Sequence, residues 1–197
     1  AHTQPGLGNA IAAGIDQIHH GAFIDESAVR GIAEKGLTFM PTLRVTSDRN
    51  IAAWPDRPWM MAEMRQSQPI HRAGVRLAHA AGVRIACGTD YPGSAHGWPV
   101  GDATPFELQE LVACGLTPME AIVAATRTTA AAYRRLETFG TLEPGKLADV
   151  LVVDGNPLAD IGVLYDAARI ALVLKEGSVE YATGDYREHY RIGAIHP

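Results

Sequence analysis

Apolar positions in the first part of this chain alternate between two rhythms. Residues 15–20 read as a strand, and Ala28, Val29, Ile32 and Ala33 then share one face of a helix that Asp25 opens and Gly36 closes. Leu37-Thr38-Phe39-Met40 reads as a second strand running into Pro41-Thr42-Leu43. Arg84-Ile85-Ala86-Cys87 is a third, halted by Gly88 so that Thr89 and Asp90 stand at the mouth of a buried strand. Helices are predicted at 6–14, and at about 60–81 if Pro69 is accommodated as a kink or restart. Two more open at Thr104-Pro105 and Thr117-Pro118; Gly115 ends the first, Met119, Ile122 and Val123 could anchor the second, and the Ala-rich residues 128–136 extend it. Residues 45–58, with Trp54, Pro55, Pro58 nearby and Trp59 following, read as a loop or lid. Strands and helices in alternation predict βαβ units and a parallel sheet.

The rhythm changes at Phe139. Gly140-Thr141-Leu142-Glu143-Pro144-Gly145-Lys146 is a turn cluster, and the runs Val150-Leu151-Val152-Val153, Ile170-Ala171-Leu172-Val173-Leu174 and Val179-Glu180-Tyr181 follow, the last after a turn at Glu176-Gly177-Ser178. Short β-runs with glycine-centred turns predict a small β subdomain. The expected organisation is an α/β unit over 1–138 and a small β-sandwich subdomain segment with a C-terminal tail over 139–197.

Composition narrows the class. At 197 residues, with 47% hydrophobic and 20% charged, the chain can bury a core and reads as soluble and globular. A net charge of -5, the lack of a Lys/Arg stripe and an aromatic content of 7% argue against a nucleic-acid partner. With no apolar segment long enough to span a bilayer and no signal peptide, no membrane partner is expected. Cys87 and Cys114 are too few for a disulfide framework and favour a reduced, cytoplasmic setting. The sequence starts at Ala1 without an initiator Met, so a fragment or a processed chain is expected.

The candidate chemistry gathers at strand ends. His2, His20 and Asp90 bring two imidazoles and a carboxylate from different strand ends, the ligand types of a catalytic zinc or similar divalent ion. The plainer readings are a hydrogen-bonded surface histidine for His2 and a turn or helix cap for Asp90. His96, in the loop after Asp90, and the neighbouring Tyr91 are candidates for substrate contact, and His96 reads equally as a solvated loop histidine. Arg44 could meet a substrate carboxylate through its guanidinium fork, or form a surface ion pair. Trp54, Trp59 and Trp98 either line a pocket or pack their own loops. His71, His79, His189 and His196 fall on expected helix or tail surface and are assigned no role.

The order His2, Ile18-His19-His20-Gly21, Gly88-Thr89-Asp90 and Gly140-Thr141-Leu142-Glu143-Pro144-Gly145-Lys146-Leu147-Ala148-Asp149-Val150 resembles the C-terminal portion of the metal-dependent amidohydrolase superfamily, in its imidazolonepropionase-like and prolidase-like branch. The resemblance implies a distorted (β/α)8 TIM-type barrel with a small β-sandwich. By similarity His2 would end the fifth barrel strand and His20 the sixth, residues 37–43 would form the seventh, and Asp90 would end the eighth. It implies one or two divalent metals, zinc the first choice, held by His2, His20 and Asp90, with Asp90 also carrying protons. Two features depart from the pattern: the sequence holds no His-x-His pair, and His19 stands where the family has the Glu of a Glu-His-Gly triplet.

The resulting expectation is a metal-dependent hydrolase that cleaves an amide or other C–N bond in a small-molecule amide or peptide, this chain supplying the C-terminal half of the barrel. Its expected partner is the N-terminal segment of the same enzyme, and a homo-oligomer is compatible with the sequence. The alternatives are a non-catalytic fragment or subunit, suggested by the absent His-x-His, and the same fold acting on lactones, phosphoesters or ring deamination.

Overall fold

The computed structural model describes residues 1–91, 98–99, 101–184 and 186. Helix α1 (Gly6–Ala12) leads into strand β1 (Gln17–His19), and α2 (Glu26–Glu34) carries the chain to β2 (Thr38–Met40). Asp25 caps α2 as its sequence suggests, its carboxylate accepting the Ala28 N–H at 2.8 Å. A 3-10 turn over Leu43–Thr46 and the short α3 (Asp48–Ala52) follow, then α4 (Pro58–Ala80) and β3 (Arg84–Ile85). Strands β1, β2 and β3 form one parallel sheet in that order. The chain continues through α5 (Ala103–Ala113), α6 (Pro118–Val123), a π-helical segment over Ala124–Thr128 and α7 (Thr129–Ala132).

The residues expected to cover the sheet do so. Leu7, Ile18, Ile32, Phe39, Val75, Ala78 and Leu111 are all buried, and they pack strands against α1, α2, α4 and α5 in one core. The central strand β2 is buried along its whole length, as a parallel strand covered on both faces should be.

Three local expectations need correction. Residues 45–58 are not a plain loop: Ser47 caps α3 by accepting the Asn50 N–H at 3.2 Å, and Asp48 sits in its first turn. Pro69 does not restart α4, which runs unbroken from Pro58. The Ala-rich helix is not uniform, because the Ala124 carbonyl takes the Cys87 N–H at 3.1 Å and the Thr129 hydroxyl at 2.7 Å, outside the helical ladder. That side-chain insertion is a cause of π-helical distortion, and α7 stops at Ala132.

Beyond residue 139 lies a three-stranded antiparallel sheet, β4 (Val150–Val153), β5 (Ile170–Lys175) and β6 (Ser178–Ala182). Only Leu172 and Ala182 of these strands are buried, and Leu151 is 49% exposed. The sheet is tied to α5 through Tyr165, whose hydroxyl meets Asp102 at 3.2 Å and whose ring faces Phe106. Among the described residues, no helix is long and apolar enough to cross a membrane.

Candidate functional site

Parallel strands send their carboxyl ends to one side, and there β1, β2 and β3 deliver His20, Thr42 and Asp90. All three have left-handed backbones, with φ of 70°, 56° and 46°. That region is uncommon for residues other than glycine, above all for β-branched threonine, and such strain concentrates at functional sites. Gly21 prolongs the turn at φ 57°, where a Cβ would stand 2.8 Å from the Phe39 ring, so the residue after His20 has to be glycine.

The chain start is stitched to the same turn. Gly21 N donates to Ala1 O and Phe23 N to His2 O, each at 3.0 Å, which brings the His2 ring over His20 at a centroid distance of 4.7 Å and an interplanar angle of 13°. Burial, followed by the positive N-terminus, lowers the pKa of His2; burial, followed by His2 itself, lowers that of His20. The charge of Asp90 reaches both rings and pulls the other way. The histidines are therefore neutral at pH 7, with ring lone pairs available.

Thr42 fixes the His20 tautomer. Its hydroxyl donates to the Pro41 carbonyl at 2.6 Å and so accepts from His20 Nδ1 at 2.9 Å, which leaves Nε2 as the free lone pair. His71 holds the same residue from behind, donating Nε2–H to the His20 carbonyl at 3.0 Å while Nδ1 accepts from Thr46 at 3.1 Å. Burial brings the pKa of His71 down to about 4. The expectation that His71 lies on helix surface is thus overturned: it is 1% exposed, on the face of α4 that also buries Ser67, Val75 and Ala78. Its spacing with those residues was the signal in the sequence. His19 turns elsewhere and meets Gln17 at 2.9 Å.

Arg44 is buried rather than on the surface. Its Nε donates to Thr89 O at 2.7 Å, Nη2 to Asp90 O at 2.5 Å and Nη1 to Asn50 Oδ1 at 2.9 Å, with Trp98 stacked 5.0 Å from the guanidinium. Among the described residues it makes no surface ion pair; the side chain clamps the loop that carries Asp90. Beneath it, Glu107 accepts the backbone N–H groups of Leu43 and Arg44, both at 2.8 Å. Burial pushes the Glu107 carboxyl up to about 8, against the pull of those two donors and of Arg44. Glu107 was legible only as one position on the buried face of α5, between Ala103 and Leu111. Tyr91 spends its hydroxyl on Trp98 O at 2.9 Å, and His96 lies outside the described residues. Of the tryptophans, Trp98 is buried, Trp59 is 70% exposed, and Trp54 helps line a cleft of about 170 Å3 beside Asp90.

The model of the amidohydrolase family matches residues 1–179. The chain belongs to the amidohydrolase family. It is 32% identical to an ochratoxinase from Aspergillus niger over 183 residues, a match covering 90% of this chain and 36% of the relative. An imidazolonepropionase from Nocardia farcinica is 29% identical, with coverages of 92% and 41%. The chain thus spans well under half the length of these two relatives. Among solved structures, a Xaa-Pro dipeptidase with methionine bound in its active site superposes with a TM-score of 0.80 at 33% identity, covering 93% of this chain and 44% of that one. The crystal structure of the Aspergillus niger ochratoxinase gives 0.77 at 31% identity, covering 93% and 41%. These amidohydrolase neighbours imply a TIM-barrel-type α/β fold, and the parallel sheet with its covering helices is consistent with it.

Amidohydrolases generally use divalent metals. Among the described residues of this chain, no group of three or more His, Cys, Asp or Glu side chains is close enough to hold an ion unaided. The donor types nevertheless fit such an ion: two neutral imidazoles, one with its tautomer fixed so that Nε2 is free, and a carboxylate within electrostatic reach.

Proposed function

We propose that this chain contributes to a hydrolase that cleaves an amide or related C–N bond with a water activated by a divalent metal, zinc in the first instance. His2 and His20 hold the metal, and Asp90 serves as ligand and proton carrier. The observation that carries the reading is the stacking of two neutral histidines within electrostatic reach of Asp90, beside the carboxyl ends of parallel strands. Family membership supports the same reaction class.

When bound, the metal supplies positive charge that lowers the pKa of a water from about 16 to about 7. The chain's own residues do the rest. Thr42 and His71 hold His20 in position, the first through its ring and the second through its carbonyl. Asp90 takes the proton of the attacking water and gives it to the departing nitrogen as the C–N bond breaks and the water oxygen joins the acyl carbon. Arg44 acts through Asp90, keeping its backbone fixed, and Tyr91 borders the substrate.

Residues 1–138 supply the C-terminal half of a barrel and residues 139–197 part of a β-sandwich, completed by an N-terminal segment of the same enzyme. Supporting this, the three parallel strands among the described residues cannot close a barrel alone, and the sheet of β4 to β6 leaves much of its apolar surface exposed. The test is to supply the chain with and without such a segment, load zinc, and follow hydrolysis of N-acyl amino acids and dipeptides. Zinc-dependent turnover is expected with both parts together; no turnover with zinc bound, or full turnover after Asp90→Asn, refutes the assignment.

A further inference from the structure

Several helical turns in this chain are capped by the residue that opens them. Asp25, Ser47 and Thr117 stand before α2, α3 and α6 with extended backbones, and each side chain accepts an N–H of the turn it begins. Asp160 and Asp166 do the same for the 3-10 turns that follow them. Thr42 holds the corresponding place before the 3-10 turn over Leu43–Thr46, yet its backbone is left-handed, at φ 56° and ψ 48°, and its side chain makes no cap bond.

The cap comes from α5 instead. The two carboxylate oxygens of Glu107 accept the N–H groups of Leu43 and Arg44, one each, at 2.8 Å. Those are N–H groups that the first turn of a helix leaves without a partner. Leu43, Arg44 and Glu107 are all buried, so solvent offers no substitute. Both oxygens receive donors, the pattern of an ionised carboxylate; a protonated one would turn an O–H toward an N–H.

The consequence falls on the Thr42 hydroxyl. Relieved of capping, it donates to Pro41 O at 2.6 Å and accepts from His20 Nδ1 at 2.9 Å. A β-branched residue stays in the left-handed region only where its surroundings over-determine it. Without the carboxylate, the two N–H groups would draw Thr42 back to an extended backbone and its hydroxyl onto its own turn, away from His20.

We propose that Glu107 is a positioning residue: by capping the Leu43–Thr46 turn from 64 residues away, it frees the Thr42 hydroxyl to fix His20 as the Nδ1–H tautomer. The value of that tautomer for hydrolysis rests on the reading of His20 as a metal ligand; the link from Glu107 to the ring does not. The second bond, to Arg44 N–H, roots the side chain that clamps the Asp90 loop.

The test reads the tautomer itself, in the full chain without metal. Nitrogen-15 NMR of the imidazoles is recorded at pH 9, above the value of about 8 to which burial raises Glu107, and amide exchange is followed in the same sample. In the unsubstituted chain His20 is expected as Nδ1–H, and the Leu43 and Arg44 amides are expected to exchange about a hundredfold more slowly than exposed ones. Glu107→Gln keeps the volume but offers one acceptor and turns an NH2 donor toward the other N–H. It should move the His20 tautomer ratio about tenfold toward Nε2–H, the form a free imidazole favours, while His71 keeps its Nε2–H. Glu107→Asp is a methylene short of spanning both N–H groups and should shift His20 the same way by less; it decides the question if the Gln variant does not fold. His20 as Nε2–H in the unsubstituted chain, fast exchange at Leu43 and Arg44, or a tautomer indifferent to both substitutions overturns the proposal. A tautomer that follows Glu107 in a chain that binds no zinc refutes only the metal reading; zinc binding with a tautomer indifferent to Glu107 refutes only the positioning role.

Discussion

His20 and Asp90 both follow the carboxyl ends of parallel strands with left-handed backbones, yet the chain holds them by different means. Asp90 is gripped through its main chain by a buried cation, with Asn50 and Trp98 steadying the guanidinium and Glu107 bracing the turn below. Among the described residues the direct contacts of the His20 ring and carbonyl are neutral: the Thr42 hydroxyl, the His71 imidazole and the face of His2. The difference suits the roles proposed for the two residues. A metal-binding imidazole has to stay unprotonated, so burial and uncharged neighbours suit it, whereas a group that carries protons has to be held at a fixed distance from the reacting atoms, which a clamp on its backbone provides.

The largest effect that would test this contrast is on the proposed proton carrier. Asp90→Asn keeps the shape and removes the acceptor, so kcat of the assembled enzyme should fall by about 10²–10⁴-fold with KM nearly unchanged, as steady-state kinetics will show. Next comes the clamp. Arg44→Met breaks three charge-assisted hydrogen bonds at roughly 1.5 kcal/mol each, so denaturant unfolding should report a loss of about 4.5 kcal/mol. A neutral outcome there would mean that Asp90 is no better anchored than His20.

On the histidine side the expected response is to acid. The pKa of His71 is lowered from 6.5 to about 4 in the folded chain, so between those values the unfolded chain binds the extra proton and folding loses stability as pH falls. The full contribution is present above pH 6.5, and about 3 kcal/mol is lost on descending to pH 4. Unfolding curves across that range should be flatter by this amount in His71→Gln. Smallest is the tautomer lock. Thr42→Val removes the acceptor of His20 Nδ1–H, and zinc affinity measured against a competing chelator should drop about 10–100-fold. Unchanged affinity would show that burial alone orients the ring.

Much of this framework was legible before any coordinates. Asp25, Thr117-Pro118 and Gly36 mark helix ends by local hydrogen bonding and backbone freedom, so α2 and α6 lie where the sequence puts them. The strand before Asp90 was overextended: only Arg84 and Ile85 pair regularly, because the apolar run continues into the core after the ladder ends, and burial does not require pairing. His71 and Glu107 were missed for one reason. Each is polar on an otherwise apolar helix face, and a polar residue there is read as surface until its distant partners are known.

The sequence by itself determined the alternation of strands and helices, the change of character near Phe139 and the strand ends that carry His20 and Asp90, because these depend on periodicity and on chemistry a few residues away. The tertiary structure decided the rest. Thr42 meets His20 across 22 residues, Arg44 meets Asp90 across 46, and Glu107 meets Leu43 across 64. No local rule encodes such contacts; they exist because parallel pairing sets successive strand ends side by side, and because polar groups enclosed there must find one another in place of water.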